Sequence, residues 1–412
     1  MPQIFLSAGE PSGDLHAANL VRELARQCPG VQAVGYGGPE MAAAGARLHA
    51  DLTRLAVMWF ARALLHLPEF WGLVVRADRY FHRQRPDAVV LVDYPGLNWW
   101  IARRAKVHGI PVFYYPPPQI WAWGQWRVRK MRRLVDHVLA TLPFEEAWFR
   151  AHGCRATCVG HPFFDEVQRL PLDEKFLDEQ RGLCMDSPDA IRRLSGGVQR
   201  RPLVLILPGS RTQEVAANFP EFLKAAERIQ QAVPAARFAV AAFKPRHAEM
   251  ARRMIERSAK PPAEIGVFVG RTRELMHLAD CAMACSGSVS LELLYHAKPT
   301  VILYRISRAA YVVQGFFRRT KYITLVNLLA DPSATAAPPL FPEYLTWEDR
   351  SAEIAGHIVE WLSRPEERSR CVAALERLRG EVGQPGASRR AAEIILSGAR
   401  RASPAAKLTP NT

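Results

Sequence analysis

Apolar positions in the first half of the chain come in short dense runs, separated by longer stretches where they recur every three or four residues. QIFLSAG is a β-rich run ending in a glycine turn. After it, Leu15 to Arg26 carries Leu20, Val21 and Leu24 at helical spacing, with Ser12 and Asp14 as candidate caps. VQAVGYGG repeats the pattern of strand then glycine. Next come PDAVVLVDYPG (Pro86 to Gly96), a helix over Trp99 to His108, the strand-like GIPVFYYPPP, a basic helix Arg127 to Leu134 and the run HVLATLPF. Strands separated by helices of this length predict a parallel sheet wound on both faces.

Residues 166–202 lose the rhythm. QRLPLDEKF and SPDAIRRLSGGVQRRP lack a sustained apolar period and cluster Gly, Pro and Arg, which marks a linker with an insertion over 180–201. A second series follows: PLVLILPGSR, a helix from about Glu214, ARFAVAAF, IGVFVG, DCAMACSGS running into a helix Val289 to His296, and PTVILYR. The expected organisation is therefore an α/β domain over 1–165, the linker over 166–202, a second α/β domain over 203–384, a helix over 385–402 and a disordered tail over 403–412. Two such halves predict a cleft where ligands meet strand ends. Pro-rich ADPSATAAPPLFPEYL reads as a surface loop, and SRRAAEIIL as a last helix for the first domain or for a partner.

Composition narrows the class. At 412 residues the chain exceeds one hydrophobic core, and 49% apolar with 23% charged residues excludes a disordered, collagenous or disulfide-stapled protein. The longest uncharged stretch, Ile110 to Trp126, contains four prolines and cannot form an unbroken spanning helix. Met1 runs straight into IFLSA, so no signal peptide is expected. A net charge of +15 implies anionic partners: nucleic acid, phosphorylated substrates or an acidic membrane surface. The seven cysteines are scattered and never form CxxC, which fits thiols in a reducing cytoplasm better than a zinc site.

The candidate chemistry lies at strand ends. Ser7 to Asp14, SAGEPSGD, joins strand to helix where backbone N–H groups favour an anion, and reads either as a phosphate or sugar contact or as a turn. The glycines of Gly35-Tyr36-Gly37-Gly38 leave the same two readings open. Asp93 closes the apolar run Ala88 to Val92, the sheet edge where doubly wound folds present reactive groups. A partly desolvated carboxylate there can act as a general base, or simply cap the next turn. In Leu207-Pro208-Gly209-Ser210-Arg211 the glycine admits close approach and Arg211 can grip a phosphate. Ser286-Gly287-Ser288 leads into a helix with Glu292 one turn on, and Tyr304-Arg305 ends another strand; together they suit a nucleotide, diphosphate on the helix end and ribose on the carboxylate. The stretch Gln119 to Arg133, rich in Trp and Arg, can be read as a nucleic-acid surface, though no OB-type groove is implied. Leu55 to Arg79 reads as buried core, a dimer interface or a patch dipping into a membrane surface.

AGEPSGDLHAANL, VGYGGPEMAAAG, LAVMWF, PDAVVLVDYPGLN, QIWAWGQWRVRKMRR, LPFEEAWF, VGHPFFDEV, LPGSRTQEV, SGSVSLELL, VILYR and YITLVNLLA occur in the order found in one family. From residue 2 to about 395 the chain resembles the lipid-A-disaccharide synthases, inverting glycosyltransferases of GT-B architecture with two Rossmann-like domains. The resemblance implies transfer of 2,3-diacylglucosamine from its UDP conjugate to 2,3-diacylglucosamine 1-phosphate, giving a β-1,6-linked disaccharide phosphate and UDP. It implies no cofactor and no metal, and no nucleic-acid partner. It places the protein in the cytoplasm, peripherally on the inner membrane face, and homodimerisation is a family expectation. Asp93 falls where the family has its essential carboxylate, the candidate base on the acceptor 6-hydroxyl. Gly209, Ser210, Arg211, Ser286, Gly287, Ser288, Glu292, Tyr304, Arg305 and Asn327 fall on nucleotide-side motifs, and Glu10, Ser12, Gly13 and Asp14 on the acceptor side.

The chain departs from the family at four positions. Gly96 stands where many members have a second Asp, Trp59 replaces a glycine, Arg62 a glutamate and Thr346 a glutamine, changes that bear on acceptor geometry and acyl-chain preference. Two other classes compete. Another GT-B enzyme on UDP-N-acetylglucosamine, such as a 2-epimerase, predicts turnover without lipid; an RNA-binding protein predicts salt-dependent RNA affinity without UDP affinity.

Overall fold

The computed structural model describes residues 1–53, 67–122, 124–169, 172–183, 201–287, 289–317, 322–331 and 338–402. The chain divides into two compact units. Met1–Arg169 and the segment from Val382 form unit 1, and Leu170–Glu381 forms unit 2. A helix, Glu174–Leu183, occupies part of the stretch read as linker and belongs to unit 2.

Unit 1 is built on seven parallel strands: β1 (Gln3–Ala8), β2 (Gln32–Gly37), β3 (Arg47–Asp51), β4 (Ala88–Val92), β5 (Val112–Tyr114), β6 (His137–Ala140) and β7 (Ala156–Cys158). Their order is β3-β2-β1-β4-β5-β6-β7. Winding reverses between β1 and β4, whose pairing runs from Ile4 against Ala88 to Ala8 against Val92. Every residue of β4 is buried, as its unbroken apolar run requires. Helices cover both faces: Leu73, Ala77 and Phe81 of Leu67–Gln84 and Ile101 of Pro95–Val107 pack on one, Leu20 and Leu24 of Pro11–Gln27 on the other.

Two helices start earlier than the apolar period suggests, and for one reason. Pro11 and Pro95 occupy the first helical turn, where proline's fixed φ suits the helix and its missing N–H costs nothing. The first helix is thus capped at Glu10, without a side-chain bond, so Ser12 and Asp14 lie inside it and are not its caps. The expected basic helix is a 3-10 turn, Gln125–Arg127, continued by Val128–Leu134.

The last helix, Ala387–Ala402, belongs to unit 1. Ala391, Ala392, Ile395, Leu396 and Ala399 are buried in one cluster with Leu20, Leu24 and Phe113. Asp165 caps its start, accepting from the backbone N–H groups of Gly386, Ala387 and Ser388.

Unit 2 has six parallel strands: β8 (Leu203–Leu207), β9 (Arg237–Ala242), β10 (Ile265–Val269), β11 (Cys281–Cys285), β12 (Thr300–Arg305) and β13 (Glu343–Thr346), in the order β10-β9-β8-β11-β12-β13. Its reversal falls between β8 and β11. Phe219, Phe222 and Ile229 of helix Thr212–Ala232 pack with Ile354, Ile358 and Trp361 of helix Ser351–Ser363 over the sheet. The edge strands β3 and β13 were not anticipated: RLHAD and EYLT are mostly half-buried and lack a dense apolar run.

Candidate active site

The carboxyl ends of β1 and β4 meet at the winding reversal of unit 1, where doubly wound sheets leave a crevice for ligands. Asp93 and Tyr94 leave β4 with φ of 43° and 42°. Two successive non-glycine residues in the left-handed region are strained, at about 1–3 kcal/mol each, and persist only where neighbours hold them. Here the neighbours are explicit. Asn98 Nδ2 donates to the carbonyls of Asp93 (2.7 Å), Val92 (3.2 Å) and Ser7 (3.3 Å), tying both strand ends together. Tyr114 Oη donates to the Asp93 carbonyl at 2.7 Å, and Asp93 N–H donates to the Pro116 carbonyl at 3.2 Å.

With the main chain so fixed, the Asp93 carboxyl is aimed by its backbone. Burial pushes its pKa above the usual aspartate value, opposed by the Tyr94 backbone N–H and the nearby charge of His16. A base with a raised pKa drives proton abstraction better than an ordinary aspartate.

The Gly9–Asp14 turn joins this site. A Cβ on Gly9 would stand 2.3 Å from the Tyr94 ring, so only glycine lets Tyr94 lie against the turn. Burial, with Glu10 adding negative charge, pushes the Tyr94 hydroxyl up to about 12. Ser12 is exposed and Gly13 rests against Val92. Asp14 faces away: its buried carboxylate accepts from the N–H groups of Gly38 (2.7 Å), Glu40 (2.9 Å) and Met41 (3.2 Å), holding the GYGG turn. Behind the turn, His16 Nδ1 lies 2.7 Å from Glu166 Oε1. His161, its ring perpendicular to that of His16, is held neutral, its pKa lowered to about 3 by burial and the His16 charge.

In unit 2 the loops after β8 and β11 emerge at the second reversal. Gly209 has φ of 133°, and a Cβ there would stand 2.5 Å from Glu214 Cβ. Glu214 accepts from Ser210 N–H (2.9 Å), Arg211 N–H (3.1 Å) and Arg211 Nη1 (3.2 Å), which shapes the turn and leaves the Arg211 side chain largely exposed. Tyr304 feels the charges of Glu214 and Arg211, so β12 ends beside the same turn. Ser286 Oγ donates to the Ile323 carbonyl at 3.2 Å, Gly287 has φ of 156°, and Glu292 lies on the helix Val289–Tyr295. Ser288, Trp59 and Arg62 lie outside the described residues.

Two nucleotide-side candidates are committed to the scaffold. Arg305 pairs with buried Glu221 and donates to the Trp347 carbonyl at 3.1 Å. Asn327 is buried and bonds the Phe341 backbone in both directions, at 2.8 and 2.9 Å. Thr346, also buried, accepts from Glu348 N–H.

The family model described as lipid-A-disaccharide synthetase matches residues 4–392. The chain belongs to the lipid-A-disaccharide synthase family. The lipid-A-disaccharide synthase of Anaeromyxobacter sp. (strain K) is 35% identical over 396 residues, covering 96% of this chain and 97% of the relative. Among solved structures, the UDP-GlcNAc 2-epimerase of Neisseria meningitidis bound to UDP-GlcNAc aligns with a TM-score of 0.62 at 12% identity, over 96% of this chain and 100% of that one. MurG of Acinetobacter baumannii aligns with 0.56 at 14%, over 96% and 100%. These two similarities concern the fold, which is GT-B. The family makes the chain a glycosyltransferase and disfavours the epimerase reading.

Sequence reasoning singled out Asp93 and the glycine turns but not the groups that hold them. Asn98, Tyr114, Glu214, Asn218 and Glu221 carry that work; Asn218 Oδ1 accepts from Arg305 N–H at 2.8 Å and its Nδ2 donates to the Pro208 carbonyl at 3.2 Å. The one available signal was polar residues inside otherwise apolar helical faces, as at Asn98 and Asn218.

Proposed function

We propose that the protein transfers 2,3-diacylglucosamine from UDP-2,3-diacylglucosamine to 2,3-diacylglucosamine 1-phosphate with inversion, Asp93 acting as the base. The acceptor 6-hydroxyl oxygen attacks the anomeric carbon, its proton passes to the Asp93 carboxylate, and the carbon–oxygen bond to UDP breaks with its electron pair leaving on the diphosphate. The observation that carries this is a strained, anchored carboxylate with a raised pKa at the winding reversal of unit 1. In unit 2, Ser210 and the exposed Arg211 are the nucleotide-side groups best able to meet the diphosphate charge, while Arg305 supports the loop through Glu221.

Both substrates are acylated, and unit 1 has features suited to a membrane face. Trp71, Val75, Trp100 and Trp126 are exposed, and Trp71 stacks edge-on against Trp100 at 4.8 Å. No helix among the described residues is long and apolar enough to cross a membrane, so the contact we infer is peripheral, aided by the +15 charge.

The test is UDP release from UDP-2,3-diacylglucosamine with and without acceptor, in the native protein and Asp93→Ala. Acceptor-dependent release that falls about a thousandfold or more in the variant is expected. Release that is independent of acceptor, or retained in Asp93→Ala, would overturn the reading.

A further inference from the structure

A cavity of about 760 Å³ opens in unit 1 beside the proposed base. Its floor is Pro95 and Gly96, the first residues after Asp93 and Tyr94, and Trp99 and Trp100 wall it one helical turn on. It is also lined by Arg103 from the same helix, Arg127 from the 3-10 turn, and Arg129, Lys130 and Arg133 from the following basic helix. No carboxylate lines it, and among the described residues none of these five cations pairs with one. The rest of the helix is different: Arg104 pairs with Asp78 at 2.8 Å and Lys106 with Asp136 at 2.7 Å. Cations turned away from the cavity are neutralised, while those turned into it are left for a ligand. Five positive charges without a carboxylate partner, of which Arg127 lies over the Trp126 ring, surround one concavity, repel one another and draw in an anion of more than one charge.

We infer that this cavity receives the phosphomonoester of the acceptor, with the aromatic walls against its sugar and the first carbons of its chains. The inference rests on the reading of Asp93 as the base. The geometry favours the acceptor over a bulk phospholipid headgroup because the floor residues are contiguous with Asp93. The 6-hydroxyl and the 1-phosphate hang from the two carbons that flank the ring oxygen of one sugar, so a base on the hydroxyl fixes, within the span of that sugar, where the phosphate must be met. Arginine forks match a doubly charged phosphomonoester in bidentate fashion.

The experiment measures KM for acceptor and donor separately in detergent micelles, for the native protein, Arg103→Gln/Arg133→Gln and Arg129→Gln/Lys130→Gln, with Lys106→Gln as a charge control. The two cavity variants are expected to raise acceptor KM at least tenfold and leave donor KM within twofold, with Lys106→Gln unchanged. A second arm uses 2,3-diacylglucosamine lacking the phosphate. The native protein should prefer the phosphorylated acceptor strongly, and the cavity variants should lose most of that preference. Binding to vesicles of 30% anionic phospholipid in neutral lipid completes the set. If vesicle binding drops while acceptor KM and phosphate preference hold, the cavity takes membrane headgroups and the inference fails. Unchanged kinetics and vesicle binding also overturn it. Asp93→Asn in parallel separates the two readings: inactivity there, with phosphate preference kept in the cavity variants, sinks only this one.

Discussion

Asp93 is costly to the fold in two ways, through its left-handed backbone and its enclosed carboxyl. Because burial raises its folded-state pKa, native protein loses stability as pH rises from the ordinary value of 3.8 through the raised one; below that window both states are protonated and the cost vanishes. Asp93→Asn keeps shape and hydrogen-bonding capacity without the charge. It should therefore be inactive yet melt higher than the native protein at pH 8, the gain shrinking on acidification toward pH 4, as thermal scans across pH will show. The same shift sets the acid limb of kcat/KM, with its midpoint above the ordinary carboxylate range; a limb at or below pH 3.8 would mean that another group limits the rate. Asp93 was legible in the sequence because five apolar residues lead into it. The groups that hold it were not, since Tyr114 is 21 positions away and meets it only through the pairing of β4 and β5.

Among the elements, the buried strands were readable and the half-buried ones were not. β4 and β8 announce themselves as unbroken apolar runs, whereas β3 and β13 take their structure from a neighbour's open edge. The Trp-rich segment shows how a motif can mislead. Trp121 is buried and donates Nε1–H to Glu145 at 2.9 Å, and Glu145 also accepts from Thr141 N–H, Thr141 Oγ and Leu142 N–H. Two stretches that read separately, QIWAWG and LPFEE, thus lock each other, and the lock anchors the loop leading to Arg127. Burial pushes the Glu145 pKa up, but four donors around one carboxyl keep it satisfied. Glu145→Ala would strand those donors in the interior and should cost about 3 kcal/mol or more in denaturant melts. It should also raise acceptor KM by loosening the basic rim, with Trp fluorescence shifting to the red; a variant as stable as the native protein would show that the carboxylate is dispensable.

The whole chain is two sheets of one winding, but only one is contiguous in sequence. Unit 2 runs from Leu170 to Glu381 without a break, while unit 1 needs the helix Ala387–Ala402 returned from the far end of the chain. The sequence offered that helix to the first domain or to a partner without choosing between them, because its partners Leu20, Leu24 and Phe113 lie more than 270 positions earlier. Without it, the small-residue face of Pro11–Gln27 would meet water, and the Asp165 carboxylate would lose the three N–H groups it caps. A fragment of residues 170–381 should therefore fold alone with a cooperative thermal transition. A fragment of residues 1–169 should stay aggregated or molten, bind the dye ANS, and regain a cooperative transition when residues 382–402 are fused to it through a flexible linker. Asp165→Ala in that fusion, at about 2 kcal/mol, measures how much of the rescue is the cap and how much the apolar face. A fragment 1–169 that melts cooperatively without the helix would make the C-terminal segment an accessory to unit 1 and not part of its core.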